Sequence, residues 1–514
     1  MFSKVKSCAV HGVDGRMIDV EADVNDGLPV FTMVGYLSSS VRESSERVRT
    51  ALKNSGFHLP PKRITINLSP ADMRKDGSGY DLAIATAVLL SLGVTAELPM
   101  EQTLVLGELS LDGSIKAIPG VLPMVICARE EGMTSCIVPK ENVQEAALVQ
   151  GISVIGVSSL KETMEYIQGI KEYENTNVEQ PAVDTSEYLY DIDFSDVVGQ
   201  ESIKRGMEIA AAGFHNVLLT GAAGAGKSML AKRLPTILPQ MSFEESLEVT
   251  KIYSVGGMLP PEGGLIHRRP FRAPHHTISE YALIGGGRVP TPGEGSFAHY
   301  GVLFLDELPE FSKPVLEVLR QPLEDRRIRI SRVQASYEFP ADFMFVAAMN
   351  PCPCGNYPDY RRCSCTEQQI RRYQSKVSGP LLDRIDIRME VKGVKQEVLF
   401  SKQKTESSKT IRARVEQARQ MQKERFAGTG LLFNSQLDGK NLEEYITLSE
   451  EGKRLVLQLF EEQELSVRGV HRVLKLARTI ADLAGSEEIE HAHLQEAAFY
   501  RNQDVFAKGV LYGN

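Results

Sequence analysis

Short apolar runs recur between residues 193 and 391, each closed by polar or glycine-rich segments. Val217-Leu-Leu-Thr, Val302-Leu-Phe-Leu and Phe343-Met-Phe-Val-Ala-Ala-Met read as buried strands. Helical spacing fills the intervals between them, which predicts a parallel sheet flanked by helices. From residue 392 onward the rhythm changes to that of helices, with charged stretches such as 409–425. Positions 472–484 carry apolar residues at helical spacing, and Gly485 supplies a stop. Ahead of all this, residues 1–170 show a compact mixture of strand and helix signals. Residues 171–192 are polar, acidic and almost free of aliphatic side chains, as a linker would be. The expected order is therefore an α+β domain at 1–170, a linker, an α/β domain at 193–391 and a helical domain at 392–514.

A chain of 514 residues suits about three domains. Hydrophobic content of 42% and charged content of 24% are those of a globular protein and exclude disordered or fibrous classes. The formal charge of −9 excludes a global basic field, so any nucleic-acid surface must be a local cluster of cations. The longest apolar stretch, 82–94, is shorter than the ~20 residues of a membrane span and includes Thr86 and Ser91. The opening Met-Phe-Ser-Lys lacks the apolar core of a signal peptide. A soluble cytoplasmic protein without membrane partners is expected. Seven cysteines in such a chain point to reduced thiols or metal ligation rather than disulfides.

Gly221-Ala-Ala-Gly224-Ala-Gly226-Lys227-Ser228 fits G-x-x-x-x-G-K-[ST] and stands between a strand and a helix. Backbone N–H groups in such a loop converge on phosphate oxygens. Lys227 would reach the β- and γ-phosphates of ATP, and Ser228 would ligate Mg²⁺. The alternative is a glycine-rich turn with no ligand. Asp306 and Glu307 follow a second buried strand, at the end where ligands sit in open α/β sheets. Asp306 is placed for the magnesium shell and Glu307 to polarise the attacking water. Asn350 ends a third strand, where an amide can orient that water.

Two further clusters bear on the partner. Arg326, Arg327, Arg329 and Arg332 alternate with Ile328 and Ile330, which suits a β-hairpin with one basic and one apolar face. Between 361 and 376, five cations stand against Glu367 alone. Cys352, Cys354, Cys363 and Cys365 form two C-x-C pairs, a set able to hold Zn²⁺ although the spacing differs from the usual two-residue gap. Packing thiols are the alternative. Cys8, Cys127 and Cys136 lie apart and read as core residues.

These residues carry a resemblance. The phosphate loop, Asp306-Glu307 and Asn350 resemble an AAA+ ATPase, with Asn350 as its sensor-1 residue; Asp193 to Gln200 resembles the segment that packs near adenine. The hairpin resembles the presensor-1 hairpin of the MCM-related clade, where Arg332 would meet a DNA backbone. Ser378 to Asp386 is similar to the segment that bears an arginine finger, which implies Arg384 in that role. Ser466-Val-Arg468 is similar to the sensor-2 region, which implies Arg468, with Arg472 as alternative. Phe271 to Gly287, Pro292-Gly-Glu, Gly301 to Phe311 and Met349-Asn-Pro-Cys-Pro-Cys-Gly355 resemble the YifB/ComM family of magnesium-chelatase-like proteins. The resemblance implies a hexameric ATP-driven motor acting on branched DNA during homologous recombination, including transformation. Residues 74–83, 107–116 and 139–142 resemble the proteolytic domain of Lon. By that likeness the serine and lysine positions fall on Gly79 and Leu122, with Ser78 out of register, which implies an inactive Lon-like fold. A metal-chelatase motor working on a protein or porphyrin-loaded partner, and an ATP-dependent protease, are the competing functions.

Overall fold

A computed structural model describes residues 1–172, 190–260, 264–332, 335–393, 405–462 and 466–501. Most of the expected linker, 173–189, lies outside the described residues.

The N-terminal sheet begins as a long hairpin, Phe2–His11 against Asp14–Asn25, paired antiparallel from end to end. Ile18, Val20, Ala22 and Val24 alternate inward, so one face of the strand is core and the other is wet. Arg63–Ser69 adds antiparallel on one side, with Phe31–Val34 parallel beyond it. On the other side, Thr103–Val105, Ser135–Pro139 and Ser153–Val157 run parallel, which completes seven strands. The apolar stretch noted above is the helix Asp81–Ser91, buried on nearly every face against this sheet.

The second sheet has five strands, all parallel, in the order Phe271–Arg272, Val302–Leu305, Met344–Met349, Val217–Thr220, Ile387–Glu390. Helices cover both faces, which is why these strands read as unbroken apolar runs rather than alternating ones. The helical C-terminal part is not a separate core. Val415 of Ser408–Arg425, Leu476 and Ile480 of Val467–Leu483, and Leu494 of His491–Arg501 share one cluster with Leu219 and Val346 of the sheet. Ser466 caps its helix by accepting from the Gly469 N–H (3.1 Å), and Gly485 follows the helix at φ +68°.

The two α/β units touch along the helix Phe243–Val255 and the hairpin that follows residue 326. Glu145 accepts from Leu122 N–H (2.8 Å), Asn142 Nδ2 (3.0 Å) and the Ser254 hydroxyl, and burial raises its pKa against those donors. Lys251 pairs with Asp14 (2.9 Å), and the His11 ring stacks on Tyr337 at 4.5 Å. No described helix is long and apolar enough to cross a membrane.

Candidate nucleotide site

Sheet register assembles the site. Thr220 pairs with Met349 and Leu305 with Ala347, so the C-terminal ends of three neighbouring strands open together. Gly221 donates its N–H to Met349 O (3.2 Å), which sets Asn350 beside the phosphate loop. A Cβ at Gly221 would lie 2.2 Å from Val391 O, so no side chain fits there. Gly224 and Gly226 hold φ of +77° and +94°, a region that costs other residues strain. Gly226 then caps the helix Lys227–Arg233, aiming its first N–H groups at the loop.

The Lys227 ammonium donates to Gly221 O (2.7 Å), Ala222 O (2.9 Å) and Asn350 Oδ1 (3.0 Å). Burial lowers its pKa, opposed by the charges of Asp306 and Glu307. These bonds hold the ammonium against the loop backbone and beside Asn350, where a cation can serve phosphate oxygens. Ser228 Oγ donates to Asp306 Oδ2 (2.5 Å), and two oxygens so paired suit a small hard cation such as Mg²⁺. Glu307 stands in the left-handed region at φ +51°, its N–H donated to Asp306 Oδ1 (2.9 Å) and its side chain 59% exposed. Gln200 bridges the loop to the last strand through Ala225 O (3.3 Å) and Lys392 O (3.1 Å).

The two arginines implied by resemblance are elsewhere. Arg384 and Arg468 line one cleft of about 150 Å³ with Glu324, Asp383, His471 and Lys475, none of them in the phosphate loop. Arg384 pairs with Glu324 and donates to Pro380 O (2.8 Å), while its buried Nε has no partner among the described residues. Arg384 holds the Glu324 carboxyl below its usual value, with Arg468 adding to the effect. Arg468 is exposed. Arg472, one turn on, turns inward to Asp386. Burial works against the Asp386 charge, but Arg472, His215 and Lys475 outweigh it and hold the carboxyl far below the ordinary range.

The alternating arginines form the hairpin Arg327–Ser331 with Ser336–Pro340, Ile328 and Ile330 buried beneath. Its basic face differs from expectation at one position. Arg326 occupies the turn before the strand at φ +55°, and its guanidinium is held by Asp342 (3.4 Å) and Ser435 O (3.1 Å). The exposed row is Arg327 and Arg329, both paired with Glu338, and then Arg332, which donates to Gly287 O (3.1 Å).

The four clustered thiols converge. Their sulfurs lie within 4.8 Å of one another, with Cys352–Cys354 at 3.4 Å, Cys354–Cys363 at 3.6 Å and Cys352–Cys363 at 3.8 Å. A tetrahedron with Zn–S bonds of ~2.3 Å has edges of about 3.8 Å.

Comparison with known proteins now identifies the family. Models of the magnesium chelatase subunit ChlI match residues 20–142 and 193–399, and the model of its C-terminal region matches 405–501. The chain is 40% identical over 503 residues to the competence protein ComM of Haemophilus influenzae, with 97% of each chain covered. It is 41% identical over 506 residues to YifB of Escherichia coli, covering 98% of this chain and 97% of that one. The chain belongs to the YifB/ComM family of magnesium-chelatase-like proteins. Membership implies an AAA+ ATPase that uses ATP and Mg²⁺, in accord with the ammonium of Lys227 and the Ser228–Asp306 oxygen pair. A match to Lon protease 2 of Bacillus subtilis, 30% identical over 183 residues and spanning 32% of each chain, accounts for the Lon-like N-terminal region.

In sequence the paired His275 and His276 suggest a metal or, with the glycine run 285–287, a mobile loop, and neither reading connects them with Glu307. His276 Nδ1 lies 3.8 Å from Glu307 Oε2. Sheet order makes the approach: His276 follows the strand Phe271–Arg272, whose parallel neighbour Val302–Leu305 leads into Glu307.

Proposed function

We propose that the chain is the subunit of a ring-forming, ATP-driven cytoplasmic motor that moves branched DNA in homologous recombination and natural transformation. The observation that carries this reading is a division of labour. One protomer has a complete phosphate-binding side, Lys227 with Ser228, Asp306, Glu307 and Asn350, whereas Arg384 and Arg468 face a separate cleft with a guanidinium N–H still unpaired. Arginines so placed serve the nucleotide of a neighbouring protomer, with Arg384 neutralising the transferring phosphoryl group and Arg468 assisting it. Hydrolysis then requires an assembled ring, taken as a hexamer. Within the site, Lys227 binds the β- and γ-phosphates over Gly221, Gly224 and Gly226. Ser228 and Asp306 hold Mg²⁺, Glu307 polarises the water and Asn350 orients it.

For the polyanion, Arg327, Arg329 and Arg332 form the contact row, with Arg326 bracing its base. The four thiols are read as a structural Zn²⁺ site. The name of the ComM relative supports the link to competence. The competing reading, a chelatase-like motor for a protein or metallating partner, is separated by one experiment. ATP turnover of the purified protein should rise with forked or four-way DNA and stay flat with porphyrin or casein. Branched DNA that neither binds nor stimulates turnover refutes the DNA motor.

A further inference from the structure

The cysteine segment is the floor of the nucleotide site rather than a remote ornament. Between Pro351 and Thr366 only Pro351, Cys352 and Gly355 are buried, so the segment has almost no core of its own. Gln374 Nε2 donates to Pro351 O (2.8 Å), and beyond that point the segment is held mainly by its own turns. Its backbone also favours metal-bound sulfur: Tyr357 donates its N–H to Cys352 Sγ (3.4 Å). Gly355, directly after Cys354, turns at φ +81° against the phosphate loop. A Cβ there would lie 3.4 Å from Ala223 N and 4.0 Å from Asn350 Cγ. The same segment therefore backs the loop whose N–H groups receive phosphate and the amide that touches Lys227.

We propose that zinc held by Cys352, Cys354, Cys363 and Cys365 fastens Gly355 against the phosphate loop, so that metal occupancy sets nucleotide affinity. This rests on the reading of the four thiols as a zinc site and extends it to the ATP site. Without the metal, ordering the segment costs conformational entropy that three buried residues cannot offset. Ala223 and Asn350 then lose their backing, and nucleotide binds at least ~10-fold more weakly, the scale typical of lost supporting contacts around a metal.

The test uses the full chain, purified with reductant and without chelator. Zinc is measured by its release to a chromogenic chelator on mercurial treatment. The dissociation constant of a fluorescent ATP analogue is measured before removal, after removal and after zinc is restored. One zinc per chain, weakened binding on removal and recovery on restoration are expected. Cys363→Ser should lose zinc and affinity together with an unchanged far-ultraviolet spectrum. Gly355→Val should retain zinc and still lose affinity, since φ +81° is strained for valine and relief of that strain shifts the turn that faces Ala223. Absence of zinc from the untreated protein overturns the zinc site itself. Zinc present, with nucleotide affinity unchanged after its removal or by Gly355→Val, overturns the coupling and leaves the site standing.

Discussion

If Arg384 acts on the neighbour's nucleotide, two dead variants should revive each other. Lys227→Ala removes the cation that touches Gly221 O, Ala222 O and Asn350 but leaves Arg384 in its cleft. Arg384→Ala leaves the phosphate loop whole and removes the guanidinium paired with Glu324. Alone, each should fall far below wild type, since an arginine supplied across an interface contributes ~10³–10⁵ in rate. Mixed in equal amounts and allowed to assemble at random, an interface is competent only when its loop comes from one variant and its arginine from the other. That holds for about a quarter of interfaces, so turnover should return to roughly 25% of wild type when sites fire independently. Coupling around the ring would lower that figure but not abolish it. The assay is steady-state phosphate release with DNA present, after remixing under conditions that allow subunit exchange. A mixture no more active than the mean of its two components refutes the placement of Arg384 in trans.

The remaining predictions are simpler. Glu307→Gln should keep ATP affinity and lower hydrolysis by ~10²–10⁴, as loss of a group that polarises water does; turnover at the wild-type level refutes the role. Arg327→Ala with Arg329→Ala should weaken DNA binding and reduce the slope of log affinity against log salt by about 2, with basal hydrolysis intact. Both arginines already pair with Glu338, but exposed pairs are screened and yield to phosphate, so the loss should still be measurable. Asp386→Asn should destabilise the fold by up to ~3–5 kcal/mol, because the buried carboxylate answers Arg472, His215 and Lys475. The Asp386 carboxyl is depressed in the fold, so its contribution is present above the ordinary 3.8 and is lost as pH falls below it. The gap in Tm between wild type and variant should therefore be wide at neutral pH and narrow below about pH 4; a constant gap refutes the charge argument.

What the sequence revealed was local. Four-residue apolar runs located the strands Val217–Thr220 and Val302–Leu305 because both faces of a parallel sheet are buried. The phosphate loop was legible because left-handed φ at Gly224 and Gly226 is a local demand, whereas the carbonyl that leaves no room at Gly221 comes from distant Val391. Distance in sequence hid the rest. Arg384 meets Glu324 across 60 positions, and no local pattern announces that pairing. Clustering in sequence grouped Arg326 with the basic row, although strict alternation sets it on the side of Ile328 and Ile330. The strand starts one residue later, and a left-handed turn swings that side chain back to Asp342. Paired histidines after a strand gave no hint of Glu307 until the sheet order placed the two strands side by side.

The N-terminal Lon-like sheet is also bound to the arginine hairpin. The turn of its first hairpin ends on the arginine hairpin: His11 stacks on Tyr337, and a side chain at Gly12 would meet Glu338 O at 3.0 Å. Val13 buries itself in the cluster that contains Ile330 and Phe339. Tyr337 and Glu338 are the cross-strand partners of Ile330 and Arg329, so the N-terminal sheet grips the strand directly behind the basic row. A hairpin that moved alone would lose the ring stack, ~0.5–1.5 kcal/mol, and re-expose Val13, ~1.5–3 kcal/mol. Moving both together costs neither. A step that moved the basic row would therefore carry the Lon-like sheet with it, so the row stands on a rigid mount instead of a flexible stem.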